Sequence, residues 1–139
     1  MASIYNSERY YSPTEYEAFS RIEREERAAA FRPIVYICSP YSHGCINTNI
    51  EKARKYSRFA VDKHYLPITP HIYFTQFMDD TVSEERETAV FMNFVLMSKC
   101  VELWVFGDTI SAGMKAEIER AERKHMKIRY FTEELEEKK

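Results

Sequence analysis

The chain has 139 residues, of which 45% are hydrophobic, 14% aromatic and 30% charged. That balance fits one soluble globular domain with a proper core and excludes a disordered polypeptide. A formal net charge of -2 speaks against a broad nucleic-acid surface, which leaves a basic footprint, whereas a small anion can still bind at a helix end.

Residues 1–32 read as an N-terminal extension. A Tyr-rich, Ser/Pro-broken stretch holding Tyr5, Tyr10, Tyr11 and Tyr16 leads into a charged, helix-prone segment from Glu15 to Phe31. This opening lacks the apolar centre of a signal peptide. No apolar run approaches the roughly 20 residues that cross a bilayer, so no membrane partner is expected.

From Pro33 the pattern changes to short apolar runs alternating with helical segments. "IVYIC" (Ile34 to Cys38) predicts a first strand, ended by the turn-forming "SPYSHG". Ile50, Ala53, Ser57, Ala60, Val61 and His64 mark one face of a helix, and Thr48 with Glu51 offers a capping box at its start. "LPIT" predicts a second strand that Pro70 stops. A loop, "PHIYFTQFMDDTV", follows, and Ser83 can cap the next helix, whose middle "AVFMNFVLM" is almost wholly apolar.

"VELWVF" predicts a third strand. Met114, Ile118, Ala121 and His125 form the inner stripe of a third helix, and "KIRYF" a fourth strand. His64 and His125, each closing a helix face, read as packing or capping residues. Strands alternating with helices favour a parallel sheet with crossover helices. The expected fold is therefore α/β: a flavodoxin-like or Rossmann-like three-layer sandwich with four to five parallel strands and an N-terminal helical extension. Its domain spans 33–132, and residues 133–139 form a charged, solvated tail.

Cys38, Cys45 and Cys100 are odd in number and show neither CxxC nor Cys/His metal spacing. Reduced thiols in a cytoplasmic protein are expected, with no metal and no cofactor.

Ligands of open α/β sheets collect beyond the carboxyl ends of the strands. Three loops leave such ends here: "SPYSHG", "PHIYF" and "GDTISAG". They nominate Ser39, Tyr41, Ser42 and His43 after the first strand and His71 after the second. Asp108, Ser111, Gly113 and Met114 follow the third. Small residues at Ser111 and Gly113 let an anion approach the free N–H groups of a helix start, and a plain Ser N-cap beside a Gly explains the same pattern.

Glu117 flanks the Met114–Ile118–Ala121 stripe and points towards the shared pocket. The pattern alone fits, more simply, a partly exposed Glu paired with Lys124 or Arg120. Asn93, the one polar residue in its apolar helix segment, needs a partner if buried: nearby backbone or a sugar hydroxyl. Tyr36 lies inside the first strand, where a core aromatic is the default. Arg86 near a helix start reads as a surface charge, with a phosphate or base contact as the alternative. Asp79, Asp80, Glu84 and Glu85 lie in or beside the long second loop, and nothing in their spacing singles one out.

"YICSPYS", "PITPHIYF" and "KCVELWVFGDTISAGMKAEIERA" together resemble the nucleoside 2-deoxyribosyltransferase-like superfamily, which includes deoxynucleoside 5'-monophosphate N-glycosidases. The likeness covers about Ile34 to Phe131 and is nearest to a small bacterial and phage branch of unknown function. It implies a flavodoxin-like sheet, a homo-oligomer (dimer or tetramer) and cleavage of the N-glycosidic bond of a nucleoside or nucleotide, by hydrolysis or transfer.

The resemblance assigns the nucleophile to Glu117, expected to be kept ionised by the nearby helix N-terminus. It assigns the 5'-phosphate to the Ser-x-Gly loop of Ser111 and Gly113, and a site-lining role to Tyr36. Asn93 stands where the superfamily usually has an Asp, and Val101 follows Cys100 where an Asp is also common. An amide holds a hydroxyl but is no base at neutral pH. A nucleotide-binding protein without turnover is thus the second expectation, and an oligomeric scaffold with a partner-recruiting Tyr-rich arm is the third.

Overall fold

A computed structural model describes residues 13–139, and the chain falls into two units divided between Arg32 and Pro33. The first contains α1 (Pro13–Ala30), which begins two residues earlier than the helix-prone segment. Tyr5, Tyr10 and Tyr11 lie outside the described residues. Phe19 and Ile22 of α1 are exposed.

The second unit runs β1 (Ile34–Cys38), α2 (Ile46–Asp62), β2 (Leu66–Ile68), α3 (Pro70–Tyr73), a 3-10 turn (Phe74–Gln76), α4 (Ser83–Met97), β3 (Glu102–Phe106), α5 (Ala112–Arg123) and β4 (Lys127–Phe131). The four strands form one parallel sheet in the order β2-β1-β3-β4. It is an α/β fold of the flavodoxin or Rossmann kind. The chain order reverses between β1 and β3, which marks the switch point where such sheets hold ligands.

Strand periodicity sorts the core into two layers, because alternate side chains leave opposite faces. On one face Tyr36, Cys38, Leu103 and Val105 meet Met97 of α4 and Met114 and Ala121 of α5. On the other, Val35, Ile37, Trp104, Phe106 and Phe131 meet Tyr56 and Ala60 of α2. Tyr56 stacks on Phe106 with ring centroids 4.2 Å apart. Tyr36 therefore faces α4 and α5, the side on which Glu117 lies.

Several local expectations change. No capping box forms at Thr48 and Glu51, because α2 starts earlier, with Cys45 at its N-cap. Asn49, one turn in, turns back instead and donates to the carbonyls of Tyr41 (2.7 Å) and His43 (2.8 Å). Gly44, at φ +85, makes the reversal between that loop and the helix, in a region that side chains other than glycine rarely adopt.

Val82, not Ser83, precedes α4. The Asp79 carboxylate shapes the approach by accepting from the Thr81 backbone N–H at 2.9 Å. The expected loop after β2 is partly helical: Pro70 opens α3, its fixed φ already suited to a first helical turn.

His64 and His125 do close helices. Both sit at positive φ, and the following amides, Tyr65 and Met126, reach back to the carbonyls of Ala60 and Ala121 at 2.9 Å each. This is the left-handed cap that satisfies the last free carbonyls of a helix.

The charged C-terminal segment is mostly exposed and folds back along the sheet edge. Glu137 forms an antiparallel bridge with Phe131, and Leu135 packs on the aromatic layer. Arg129 donates through Nε and Nη2 to both Glu137 carboxylate oxygens at 2.8 and 2.7 Å, while its guanidinium stacks over Trp104 and Phe131. Among the described residues no helix is long and apolar enough to cross a membrane.

Candidate active site

A cavity of about 440 Å³ opens beyond the carboxyl ends of β1 and β3. Each wall comes from a different element. The turn after β1 supplies Ser39, Tyr41, Ser42 and His43, and the segment after β2 supplies Pro70, His71, Phe74 and Thr75. The approach to α4 and its inner side supply Asp80, Arg86, Ala89, Val90 and Asn93. The start of α5 supplies Ser111, Ala112, Gly113, Met114 and Glu117.

Glu117 is drawn inward because its helix packs Met114 and Ala121 against the sheet face that also carries Tyr36. Its Oε2 is sealed from solvent and has no hydrogen-bond partner. Burial pushes the carboxyl up to about 7, against a hydrogen bond from the Tyr36 side chain that favours the ionised form. Burial thus works against the ionised form that the helix N-terminus was expected to favour. Glu117 sits in the second turn of α5, whereas the helix-end field fades within the first, so desolvation prevails. The same contact and burial push the Tyr36 phenol well above its ordinary value.

The simpler pairing of Glu117 with Arg120 or Lys124 does not occur. Arg120 instead lies over the Phe94 ring, 5.2 Å from its centroid. Asn93 presents a second orphan: its Oδ1 is buried without a partner, so backbone does not satisfy it. Asn93 and Glu117 thus both line the cavity, and each carries one buried oxygen without a partner.

Ser111 is the N-cap of α5, and its Oγ accepts from Met114 N–H at 3.3 Å. That leaves the hydroxyl proton free to be donated. A side chain at Gly113 would meet nothing within 4 Å; the glycine leaves open space beside the first-turn amides rather than relieving a clash. His71 shares a hydrogen bond of 3.2 Å between Nε2 and Ser39 Oγ and meets the Tyr41 ring edge-on at 6.2 Å. Burial lowers its imidazole to about 4, so it is neutral near pH 7.

Of the residues nominated from sequence, Tyr36 stands behind the wall at Glu117, and Asp108 stands apart. Asp108 pairs with Lys138 at 2.8 Å, and the same ammonium donates to the Gly107 carbonyl at 3.0 Å. Its placement as a cavity residue fails because the β3–α5 loop spends this carboxylate on the C-terminal segment. Asn49 and Asp80 were not singled out. Asn49 acts through the fold by pinning the Tyr41–His43 turn, which only a residue-to-loop contact reveals.

Cys38, Cys45 and Cys100 are free thiols. Cys38 and Cys100 are buried, and their thiols are pushed up by burial, Cys100 to about 12. Among the described residues no group of three or more His, Cys, Asp or Glu is placed to hold a metal ion.

Fold and cavity define an α/β domain with a cavity at the switch point of a parallel sheet. A family model described as a domain of unknown function (DUF7768) matches residues 33–131, and the chain belongs to that family. No curated protein matches the chain by sequence.

Proposed function

We propose that the cavity binds a nucleoside 5'-monophosphate and that Glu117 breaks its N-glycosidic bond. The observation that carries this reading is that two residues of one cavity wall, Glu117 and Asn93, each hold a buried oxygen without a partner, Oε2 and Oδ1. A buried acceptor without a donor costs roughly 1–3 kcal/mol, and a ligand that supplies what both lack recovers that cost. A sugar does so: a hydroxyl donates to the amide, and an electron-poor anomeric carbon faces the carboxylate. The resemblance to the nucleoside 2-deoxyribosyltransferase-like superfamily, carried by Ser111, Gly113 and Glu117, supports the same assignment.

The phosphate would sit on the first-turn amides of α5, with the Ser111 hydroxyl donating and Gly113 leaving room. The base would lie between Tyr41, Ser42 and neutral His71, which Ser39 holds. Tyr36 fixes one carboxylate oxygen, so that Oε2 is free to attack. Glu117 Oε2 bonds to the anomeric carbon as the bond to the base nitrogen breaks, and water or a second base then displaces the ester. Neither a cofactor nor a nucleic-acid polymer enters the scheme. The exposed apolar stripe of α4, at Phe91 and Val95, supports self-association as a dimer or tetramer.

Incubation with a panel of ribo- and deoxynucleoside 5'-monophosphates tests the reading. Free base is expected with wild type and none with Glu117→Gln. A folded wild type that leaves the whole panel intact would overturn catalysis. Asn93 and the burial of Glu117 favour a second reading, nucleotide binding without turnover. Tight calorimetric binding with the nucleotide recovered unchanged would decide for it.

A further inference from the structure

Splitting an N-glycosidic bond leaves a proton problem that Glu117 cannot solve while it is bonded to the sugar. The departing base nitrogen needs a proton, and the water that resolves the ester must lose one. Asn93 can do neither, since an amide does not exchange protons near pH 7. His71 is engaged with Ser39 and held neutral by burial.

The carboxylates near α4 separate cleanly. Asp79 is committed to the Thr81 amide, and Glu85 accepts from the Asp79 backbone N–H at 3.0 Å. Glu84 does not line the cavity. Asp80 does, half-buried, and among the described residues no hydrogen bond or ion pair holds it. Among the described residues, Glu117 and Asp80 are the two carboxyl groups on the cavity wall.

Resting on the reading above, we infer that Asp80 is the acid–base residue of this site. With substrate bound, the proton of buried Glu117 is relayed to Asp80 through a water in the cavity, freeing the nucleophile. As Glu117 Oε2 bonds to the anomeric carbon and the carbon–nitrogen bond breaks, Asp80 gives that proton to the leaving nitrogen. Asp80, now a carboxylate, takes a proton from water as the water oxygen attacks the same carbon and Glu117 departs. That proton returns to Glu117 by the same relay. Nucleotide and water become free base and sugar 5-phosphate, with no electrons exchanged.

The test compares wild type, Asp80→Asn and Glu117→Gln on ordinary nucleotides and on 7-methylguanosine 5'-monophosphate, whose cationic base leaves without being protonated. Asp80→Asn is expected to lose about 100-fold or more on ordinary nucleotides. It should still release a burst of 7-methylguanine and accumulate a sugar-phosphate ester on Glu117, visible by intact mass. Azide, which needs no base, should restore its turnover and yield the glycosyl azide. Near-wild-type turnover by Asp80→Asn would overturn the inference and leave the site reading standing. Loss on both substrates without azide rescue would overturn it too, as a structural effect. A wild type that neither turns over nor forms the ester defeats the site reading itself.

Discussion

Burial and the Tyr36 phenol pull the Glu117 carboxyl in opposite directions, and burial prevails, at about 7 against an ordinary 4.5. Between those values the unfolded chain gives up a proton that the folded one keeps. The stability this group contributes is complete below about 4.5 and is lost as pH rises through about 7. Glu117→Gln removes that titration. Urea unfolding should show the variant gaining roughly 1–3 kcal/mol over wild type at pH 8 and almost nothing at pH 4.

His71 runs the other way. Its depressed value, about 4, makes its contribution whole above its ordinary 6.5 and lost as pH falls towards 4. The acid limb should therefore survive in Glu117→Gln. Base release from ordinary nucleotides, which draws its proton from Glu117 by way of Asp80, should fall as pH rises through about 7.

At this scale the sequence spoke clearly where partners are near in chain. The Ser111-to-Glu117 spacing falls within the first two turns of one helix, and Met114 follows from the helix stripe. Asp80 and Asn49 were opaque because loop contacts alone distinguish them from neighbouring Asp79 and Thr48. Asp108 misled because its partner, Lys138, lies thirty residues on.

Helix α5 separates stability from binding at Gly113. Nothing lies within 4 Å of a methyl added there, so Gly113→Ala should hold or raise stability, by up to about 1 kcal/mol from helix propensity. The same methyl would occupy the space left for a phosphate, and calorimetry should show nucleotide affinity falling at least about tenfold. Equal affinity would place the anion elsewhere. Arg86, with no described ion pair, lines the wall supplied by α4. Arg86→Ala should weaken nucleotide more than nucleoside, and the difference should shrink at high salt.

The C-terminal segment is held in part through Arg129. Arg129→Ala gives up its two bonds to Glu137 and its seat over Trp104 and Phe131, so a loss of roughly 1–3 kcal/mol by denaturant midpoint is expected. Strands and long helices were readable because apolar periodicity is a local property. The short helix after β2 and the folded-back end were not. One depends on a proline read as a stop when it is equally a start, and the other on a single Leu among charges.

For the molecule as a whole, the exposed apolar stripe on α4 is its most telling surface. Phe91 and Val95 are 68% and 46% exposed on a helix whose inner side serves both the core and the cavity. Phe91→Glu should shift sedimentation towards the monomer while leaving the far-ultraviolet spectrum unchanged. An unaltered sedimentation coefficient would count against assembly through this helix.

The two margins of the sheet bear on the same question. On one side β2 is three residues long and carries Pro67, which has no N–H to offer; on the other, Glu137 bridges Phe131 along β4. Neither border offers a foreign strand an uninterrupted ladder to extend. Copies of this domain are thus steered away from fibril-like stacking, and whatever brings them together must work through side chains.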